Sequence, residues 1–457
     1  MSVFFNRVRS QLSRIPIRLS SSTSNSSYFR MSQDLALGAN NYELHFGREV
    51  VNRVSFLRED PDFVTNAAKH LSTRFIFYEN GNPLVNKKTI GTNLVILTNG
   101  DNQLQTVEGK DVAGTAKGLL NCPEWSKILD VWTEDNKNQS PESRDDNKPS
   151  FLFLGIKDES VGVDFRALKL YDEETYLDHQ GRYFGLPYFA VDVTNSPDVS
   201  ALIKKHVLAN LSDAQEEDII FSHSWKHAMG LNHDESALFS HGKMYFDWLG
   251  RNKFCPGCGS KVIAIHAGGK LRCTNEATEA NEDSTKYVCP VRNATVSNVS
   301  FPRTDAVVIT AITNRERTKT LLSMGKRHIH KKMYSCTAGF MEPSETVEVA
   351  TKREIWEETG VACSDIQILM TQPWPFPGNL MIGCIATVDF NGENEVINLG
   401  HDRELADARW FDISDVRDHL NGNTNNALDA EDIQLPSLVS IAHALIRWLV
   451  EKTDTKL

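Results

Sequence analysis

The chain has 457 residues, of which 40% are hydrophobic and 24% charged, a composition typical of globular domains. This length exceeds one compact domain and predicts two or three. The formal net charge of -11 argues against broad, sequence-independent nucleic-acid binding and leaves phosphate substrates dependent on bound cations. No apolar run approaches the roughly 18 residues of a membrane span, so no membrane partner is expected.

Both ends of the chain carry candidate targeting signals. Residues 1–33 contain five arginines, many serines and no acidic residue, which predicts a mitochondrial leader or a disordered arm. Met31, near the end of this stretch, is a candidate alternative start. The tail Thr455-Lys456-Leu457 resembles the S-K-L peroxisomal address. We therefore expect a peroxisomal protein, with mitochondrial or cytoplasmic location as the alternatives.

Residues 34–250 are expected to form a separate N-terminal α+β domain. Apolar β-rich runs predict strands at 75–78, 94–97 and 151–156. The polar stretch 134–149 predicts a surface loop, and the apolar spacing over 223–249 predicts helices.

A four-cysteine metal site is predicted within residues 251–299. The knuckle Cys255-Pro256-Gly257-Cys258 is followed by Cys273 and Cys289, the order of ligands in a structural zinc ribbon. The pair Gly268-Gly269 predicts the turn of a hairpin. The long spacing between Cys273 and Cys289 leaves His266 as a rival fourth ligand.

A cluster of glutamates follows in the C-terminal half. Glu354, Glu357 and Glu358 are three and four residues apart, so a helix would place all three carboxylates on one face. Like charges this close destabilise a helix unless a cation lies among them, and carboxylates are preferred ligands of Mg²⁺.

These glutamates belong to a longer pattern, G-x5-E-x7-R-E-U-x-E-E-x-G-U, in which U is aliphatic. The stretch from Gly339 through Glu345 and Arg353 to Gly360 matches every fixed position. This pattern resembles the Nudix box, which marks hydrolases of nucleoside diphosphates linked to another group. The resemblance implies an α/β/α Nudix sandwich over 300–440, followed by a C-terminal helix and tail over 441–457. We read Arg353 and Glu345 as an ion pair that shapes the box.

A second pattern narrows the family. Residues 371–379, TQPWPFPGN, resemble the S-Q-P-W-P-F-P-x-S array of the NADH pyrophosphatase branch of the Nudix hydrolases, with Thr371 and Asn379 replacing serines. The resemblance implies that this array shapes the substrate pocket, with Trp374 and Phe376 as stacking surfaces. The implied pocket residues of the array are Gln372, Pro373, Trp374, Pro375, Phe376, Pro377, Gly378 and Asn379.

The resemblance also assigns further site residues. It implies that Mg²⁺ or Mn²⁺ is held by Glu354, Glu358, Glu404 and the backbone carbonyl of Ala338, with Glu357 completing the catalytic group; Asp402 is an alternative to Glu404. It adds substrate contacts at Phe301, Ala338, Gly339, Phe340 and Ala442. The basic stretch 326–332 either contacts phosphates or forms an exposed loop.

We therefore predict a zinc-containing, homodimeric hydrolase of the NADH pyrophosphatase family. It is expected to cleave NADH to reduced nicotinamide mononucleotide and AMP, to cleave NAD⁺, and to remove NAD from NAD-capped RNA. The alternatives are a Nudix hydrolase of another nucleotide, such as ADP-ribose or a coenzyme A derivative, and a zinc-ribbon binding protein with an inactive Nudix fold.

Overall fold

The computed structural model describes most of the chain from residue 44 onward. The described ranges are 44–87, 91–103, 115–139, 147–160, 163–164, 176–210, 215–277, 287–292 and 301–454. The leader 1–33 with Met31, and the tail 455–457, lie outside the described residues. No described helix is both long and apolar enough to cross a membrane.

The N-terminal part is built on an eight-stranded mixed sheet. Its central strand, β1, pairs in parallel with β11 and antiparallel with β2 and β4. The strands of this part are β1 Arg74–Glu79, β2 Asn82–Asn86, β3 Asn93–Leu94, β4 Ile96–Thr98, β5 Asn102–Gln103, β6 Thr115–Ala116, β7 Ser150–Lys157, β8 Glu159–Ser160, β9 Val163–Asp164, β10 Leu177–His179, β11 Tyr183–Asp192 and β12 Ile219–Phe221. Its helices are α1 Pro61–Lys69, α2 Pro123–Asn138, α3 Pro197–Asn210, α4 Trp225–Gly230 and α5 His233–Arg251.

The predicted strands and helices of this part are confirmed, with two corrections. The apolar run 94–97 is split between β3 and β4, which pair with different neighbours. The predicted loop 134–149 begins too early, because α2 continues to Asn138. Trp125, Leu129 and Thr133 recur every fourth residue and are buried, so they hold the helix on the core while its polar residues cover the exposed face.

A two-stranded hairpin follows the first two cysteines and ends at the third. Its strands β13 Val262–Ile265 and β14 Lys270–Cys273 are antiparallel, as the Gly-Gly turn predicts. Gly268 has φ +83°, and a β-carbon there would lie 2.6 Å from the carbonyl oxygen of Phe151. Glycine thus lets the turn lie directly against β7, where Ala267 O accepts a hydrogen bond from Phe153 N.

The C-terminal part is a six-stranded sheet between helices. The strands are β15 Asp305–Asn314, β16 Lys319–Gly325, β17 Thr337–Phe340, β18 Asp365–Trp374, β19 Asn379–Val388 and β20 Leu405–Asp412. The helices are α6 Val347–Thr359, α7 Ile413–Leu420, α8 Ala427–Ala430 and α9 Ile441–Asp454.

Two apolar clusters lie on opposite faces of this sheet. Ala311 packs with Leu445 of α9, while its neighbour Ile312 packs with Ile355 of α6. Successive side chains of a strand point to opposite faces, so α6 and α9 cover the two sides. The α/β/α sandwich expected from the resemblance is therefore observed, and α9 is part of its core rather than an appendage.

Candidate active site

Helix α6 presents the predicted glutamates. The side chain of Thr346 accepts a hydrogen bond from Val349 N and caps the first turn. Gly360, in the left-handed region at φ +75°, ends the helix. A β-carbon at Gly360 would lie 2.7 Å from Cβ of Asn398, so this glycine also admits the loop that approaches the helix end.

Glu354 lies against the strand that precedes the helix. A β-carbon on Gly339 would be 2.0 Å from both Cδ and Oε2 of Glu354. Gly339 and Ala338 belong to β17, where Ala338 pairs with Ile309 of β15. The glycine thus leaves the space that this carboxylate occupies beside the backbone of residues 338–339, the segment expected to supply the carbonyl ligand.

Arg353 organises the loop and the helix together. Its guanidinium donates to both carboxylate oxygens of Glu345, at 2.7 and 2.9 Å, to Glu354 Oε1 at 2.7 Å, to Glu357 Oε2 at 2.9 Å and to the carbonyl oxygen of Phe340 at 2.8 Å. The hydrogen bonds from Arg353 lower the pKa of Glu345 to about 2. The predicted pairing of these two residues is present, as a bidentate contact.

Glu358 has the most perturbed carboxylate of the group. Its side chain is buried, and burial is the main cause that raises its pKa to about 8. The negative charges of Glu354, Glu404, Asp402 and Glu357 raise it further, in that order. Burial also raises the pKa of Glu354. The acids that act on this buried carboxyl make the site negative, and a divalent cation would neutralise it.

The loop before β20 brings the distal acids to this site. Asp402 N donates to the carbonyl oxygen of Glu357 at 3.1 Å, and Glu404 N donates to Oδ1 of Asp402 at 3.1 Å. His401 stacks on Trp356 of α6 with ring centroids 4.3 Å apart. Both candidate acids therefore lie near Glu358, and Glu404 has the larger effect on its pKa.

Two aromatic residues with predicted substrate contacts are open to solvent. Phe301 is 51% exposed and Phe340 is 57% exposed. The ammonium of Lys270, in the cysteine-bearing hairpin, lies 5.2 Å from the ring centroid of Phe301. Such exposed rings are available for stacking on a planar ligand.

The rings of the Pro-rich array pack against the N-terminal part instead. Trp374 contacts Phe46 and Trp225 edge-on or tilted, with centroids 5.8 and 5.1 Å apart. Phe376 lies 4.6 Å from Trp225. The sequence did not single out Phe46 or Trp225, because nothing local to either residue indicates this long-range contact.

Gln372 requires a correction. It is fully buried, and its amide nitrogen donates to the carbonyl oxygens of His45 and Val439, both at 3.0 Å. Its amide oxygen accepts from Ile441 N at 2.8 Å, at the start of α9. The amide thus joins its own strand to two other segments, one at His45 and one at 439–441. Both N–H groups of the amide are used, so no donor remains for a substrate.

The remaining predicted contacts are mostly inaccessible. Ala442 is buried in the core of α9, so its predicted substrate contact is corrected to packing. Pro375 and Gly378 are buried, Pro373 is half-buried, and Pro377, after a cis peptide bond, is exposed. Asn379 is buried, and its Oδ1 has no hydrogen-bond partner among the described residues.

The four cysteines come together as predicted. All four sulfurs lie within 4.8 Å of one another, with Cys255 to Cys289 at 3.5 Å and Cys258 to Cys273 at 3.4 Å. Tetrahedral thiolate coordination at about 2.3 Å separates sulfurs by about 3.8 Å, so the group fits a zinc ion.

The surroundings of the sulfurs also suit a metal. Asn275 N and Arg292 N each donate to a sulfur, of Cys273 and Cys289 respectively, at 3.4 Å. His266 is not part of the group; its Nδ1 lies 3.5 Å from Oε1 of Glu59. The geometry therefore favours Cys289 over His266 as the fourth zinc ligand.

Known proteins are similar to most of this chain. The NUDIX domain family model matches residues 302–430. The NAD-capped RNA hydrolase NPY1 of Saccharomyces cerevisiae is 36% identical over 417 residues, covering 89% of this chain and 95% of that protein. The human NAD-capped RNA hydrolase NUDT12 is 29% identical over 409 residues, covering 89% and 73% of the two chains.

Another relative matches about half of this chain. The human mitochondrial NAD(P)H pyrophosphatase NUDT13 is 32% identical over 227 residues, which is 49% of this chain and 57% of that one. A solved Nudix hydrolase from Clostridium perfringens covers 33% of this chain and 95% of its own, with 18% identity and a TM-score of 0.23. The identity and coverage shared with NPY1 show that the chain belongs to the NADH pyrophosphatase family of Nudix hydrolases.

Proposed function

We propose that this protein hydrolyses the diphosphate bond of NADH and NAD⁺, and removes NAD from NAD-capped RNA. One observation carries the proposal: the negative charges of Glu354, Glu357, Glu404 and Asp402 all act on the buried carboxyl of Glu358, beside a strand whose glycine leaves room for Glu354. The complete acidic group disfavours the alternative of an inactive Nudix fold. The activities for which NPY1, NUDT12 and NUDT13 are named favour NAD-type substrates over ADP-ribose or a coenzyme A derivative.

The residues of the acidic site have different proposed roles in hydrolysis. Glu354, Glu358, Glu404 and the carbonyl of Ala338 would hold Mg²⁺ or Mn²⁺, which neutralises the diphosphate and activates water when bound. One glutamate of the group would accept the proton of the attacking water. Arg353 fixes the orientation of Glu354 and Glu357 through its hydrogen bonds.

Phe301 and Phe340 are the proposed stacking surfaces for a base or nicotinamide ring. Both are exposed, whereas Trp374 and Phe376 are engaged with the N-terminal part. In this proposal the Pro-rich array 371–379 shapes the substrate pocket indirectly, because its packing fixes the position of Asn379 at the start of β19. Cys255, Cys258, Cys273 and Cys289 would hold Zn²⁺ as a structural ion, since a fourth thiolate leaves no open coordination position.

The assembly and the cellular location are proposed from the sequence. A homodimer follows from the family resemblance, and the solution mass by light scattering tests it. Peroxisomal delivery rests on the tail 455–457, with mitochondrial delivery through residues 1–33 and a cytoplasmic pool as alternatives.

A product assay tests the function directly. Purified, zinc-loaded protein is incubated with NADH, NAD⁺, ADP-ribose and NAD-capped RNA, with Mg²⁺, Mn²⁺ or chelator, and products are separated chromatographically. We expect metal-dependent release of AMP and reduced nicotinamide mononucleotide from NADH, and of nicotinamide mononucleotide from capped RNA. Faster turnover of ADP-ribose than of any NAD compound would make ADP-ribose the preferred substrate. No turnover of any compound would contradict the proposal that the protein is an enzyme of this class.

A further inference from the structure

We propose that the basic surface formed by Lys326, Arg327, Lys331 and Lys332 binds the phosphate backbone of the RNA chain in NAD-capped substrates. This inference rests on the proposed function and adds to it a site for the part of the substrate beyond the NAD unit. In such a substrate the chain continues from the adenosine ribose through phosphodiesters. NADH and NAD⁺ end at this ribose and have no phosphodiester chain.

The basic surface lies directly beside the acidic site. Residues Lys326–Lys331 form a 3-10 helix immediately after β16. Lys326 N donates to the carbonyl oxygen of Glu404 at 3.2 Å, and Gly325 pairs with Leu405. The chain that carries the four cations is thus hydrogen-bonded to the residue expected to join the metal cluster.

The charges of this surface are available to a ligand. All four side chains are exposed, and none forms an ion pair with a carboxylate of the described residues. The nearby acids Asp407 and Glu431 pair with Arg409, at 3.0 and 2.8 Å. Lys332 Nζ donates only to the backbone carbonyl oxygen of Glu431, at 2.9 Å.

This position resolves an electrostatic difficulty for an RNA substrate. A chain with a net charge of -11 repels a polyanion, and the cleavage site itself is a cluster of carboxylates. A local group of four cations next to that cluster would hold the first phosphates of the RNA and orient the cap towards the glutamates. Backbone contacts of this kind do not depend on sequence, as suits an enzyme that recognises a 5′ end.

The test reverses two of the charges and compares substrates. The variant Arg327→Glu, Lys331→Glu avoids Lys326, whose backbone contacts Glu404. The control Lys127→Glu, Lys205→Glu makes the same change of charge at exposed positions on α2 and α3. For each protein, kcat/KM is measured over a series of KCl concentrations for NADH and for an NAD-capped single-stranded RNA of about ten nucleotides.

We expect the variant to lose about tenfold in kcat/KM for capped RNA at low salt, and to keep its kcat/KM for NADH within about twofold. The slope of log(kcat/KM) against log[KCl] for capped RNA should become shallower by about 1.4, because two phosphate contacts are lost and each contributes about 0.7 for a single strand. The control should match the wild type on both substrates. If the reversed variant fails to fold, Arg327→Gln, Lys331→Gln gives the same comparison.

Two results would overturn the inference: equal losses for NADH and capped RNA, or an unchanged salt dependence for capped RNA. The latter would leave this surface to another partner, such as an acidic protein. Failure of the proposed function gives a different pattern, because the wild type would then cleave neither substrate.

Discussion

The β-carbon that Gly339 lacks would lie 2.0 Å from Cδ of Glu354. Gly339 is not in the left-handed region, so alanine is sterically allowed by its backbone. The clash would fall on the flexible end of the Glu354 side chain, which can move at little cost in stability. The Nudix glycine thus keeps open the position of one carboxylate rather than permitting an unusual backbone.

Gly339→Ala is therefore expected to separate activity from stability. A carboxylate displaced by about 1 Å costs about 100-fold in kcat, while the melting temperature should change little. Steady-state kinetics and thermal unfolding measure the two effects. Gly325→Ala, at a position with no heavy atom within 4 Å of the new β-carbon, should leave both unchanged. A large loss of stability in Gly339→Ala would refute this role.

Replacing Glu358 by Gln removes a carboxylate proposed to bind the metal but keeps the shape of the side chain. We expect kcat to fall by about 10²–10⁴-fold and the stabilisation by Mg²⁺ in thermal unfolding to be lost. Glu348→Gln, the same change at an exposed position of the same helix, should retain both properties. An active Glu358→Gln variant would remove this residue from the proposed chemistry.

The zinc ligands can be distinguished by metal analysis. Cys289→Ser should lose the bound zinc and unfold more readily, because one of four thiolates is gone. His266→Ala should keep one zinc ion per chain, since its imidazole is next to Glu59 and not the sulfurs. Zinc retained in Cys289→Ser and lost in His266→Ala would reverse the assignment.

Gln372→Ala tests the correction from substrate contact to structural link. Loss of the amide leaves buried backbone groups at His45 and Ile441 without this partner, which should cost about 3 kcal/mol in unfolding free energy. KM for NADH should stay close to that of the wild type. Thr371→Ala, at an exposed neighbour, is the control. A raised KM with unchanged stability would restore the original prediction.

Glu235 supplies a pH dependence away from the acidic site. It is buried, and burial is the main cause that raises its pKa from 4.5 to about 7. Because the folded-state pKa is the higher one, the contribution to stability is complete below about pH 4.5 and is lost as pH rises through 7.

Glu235→Gln loses one acceptor for the N–H groups of Leu94 and Asn232 at every pH. Relative to the wild type, the variant should therefore gain on the order of 2–3 kcal/mol in unfolding free energy between pH 4.5 and pH 8. Chemical denaturation at the two pH values measures this. Asp234→Asn, at the adjacent acid paired with Arg48, should show no such gain. A stability difference between variant and wild type that is the same at both pH values would show that the pKa of Glu235 is not raised.

The sequence by itself determined the local chemistry. The spacing of Glu354, Glu357 and Glu358 predicted a helix with the three carboxylates on one face, and all three lie on α6. The cysteine order predicted the cluster, and the Gly-Gly pair predicted its hairpin. These features depend on residues close in the chain, where helical periodicity and turn preferences act directly.

Only the tertiary structure decided what the distant residues do. Gln372 was predicted to face a substrate, yet it hydrogen-bonds to His45 and Ile441, which lie far from it in sequence. Trp374 packs on Trp225, and Asp402 and Glu404 reach Glu358 through a loop of irregular backbone. Burial and partner choice for such residues are set by which surfaces meet after folding, and a pattern of spacings along one segment does not record that.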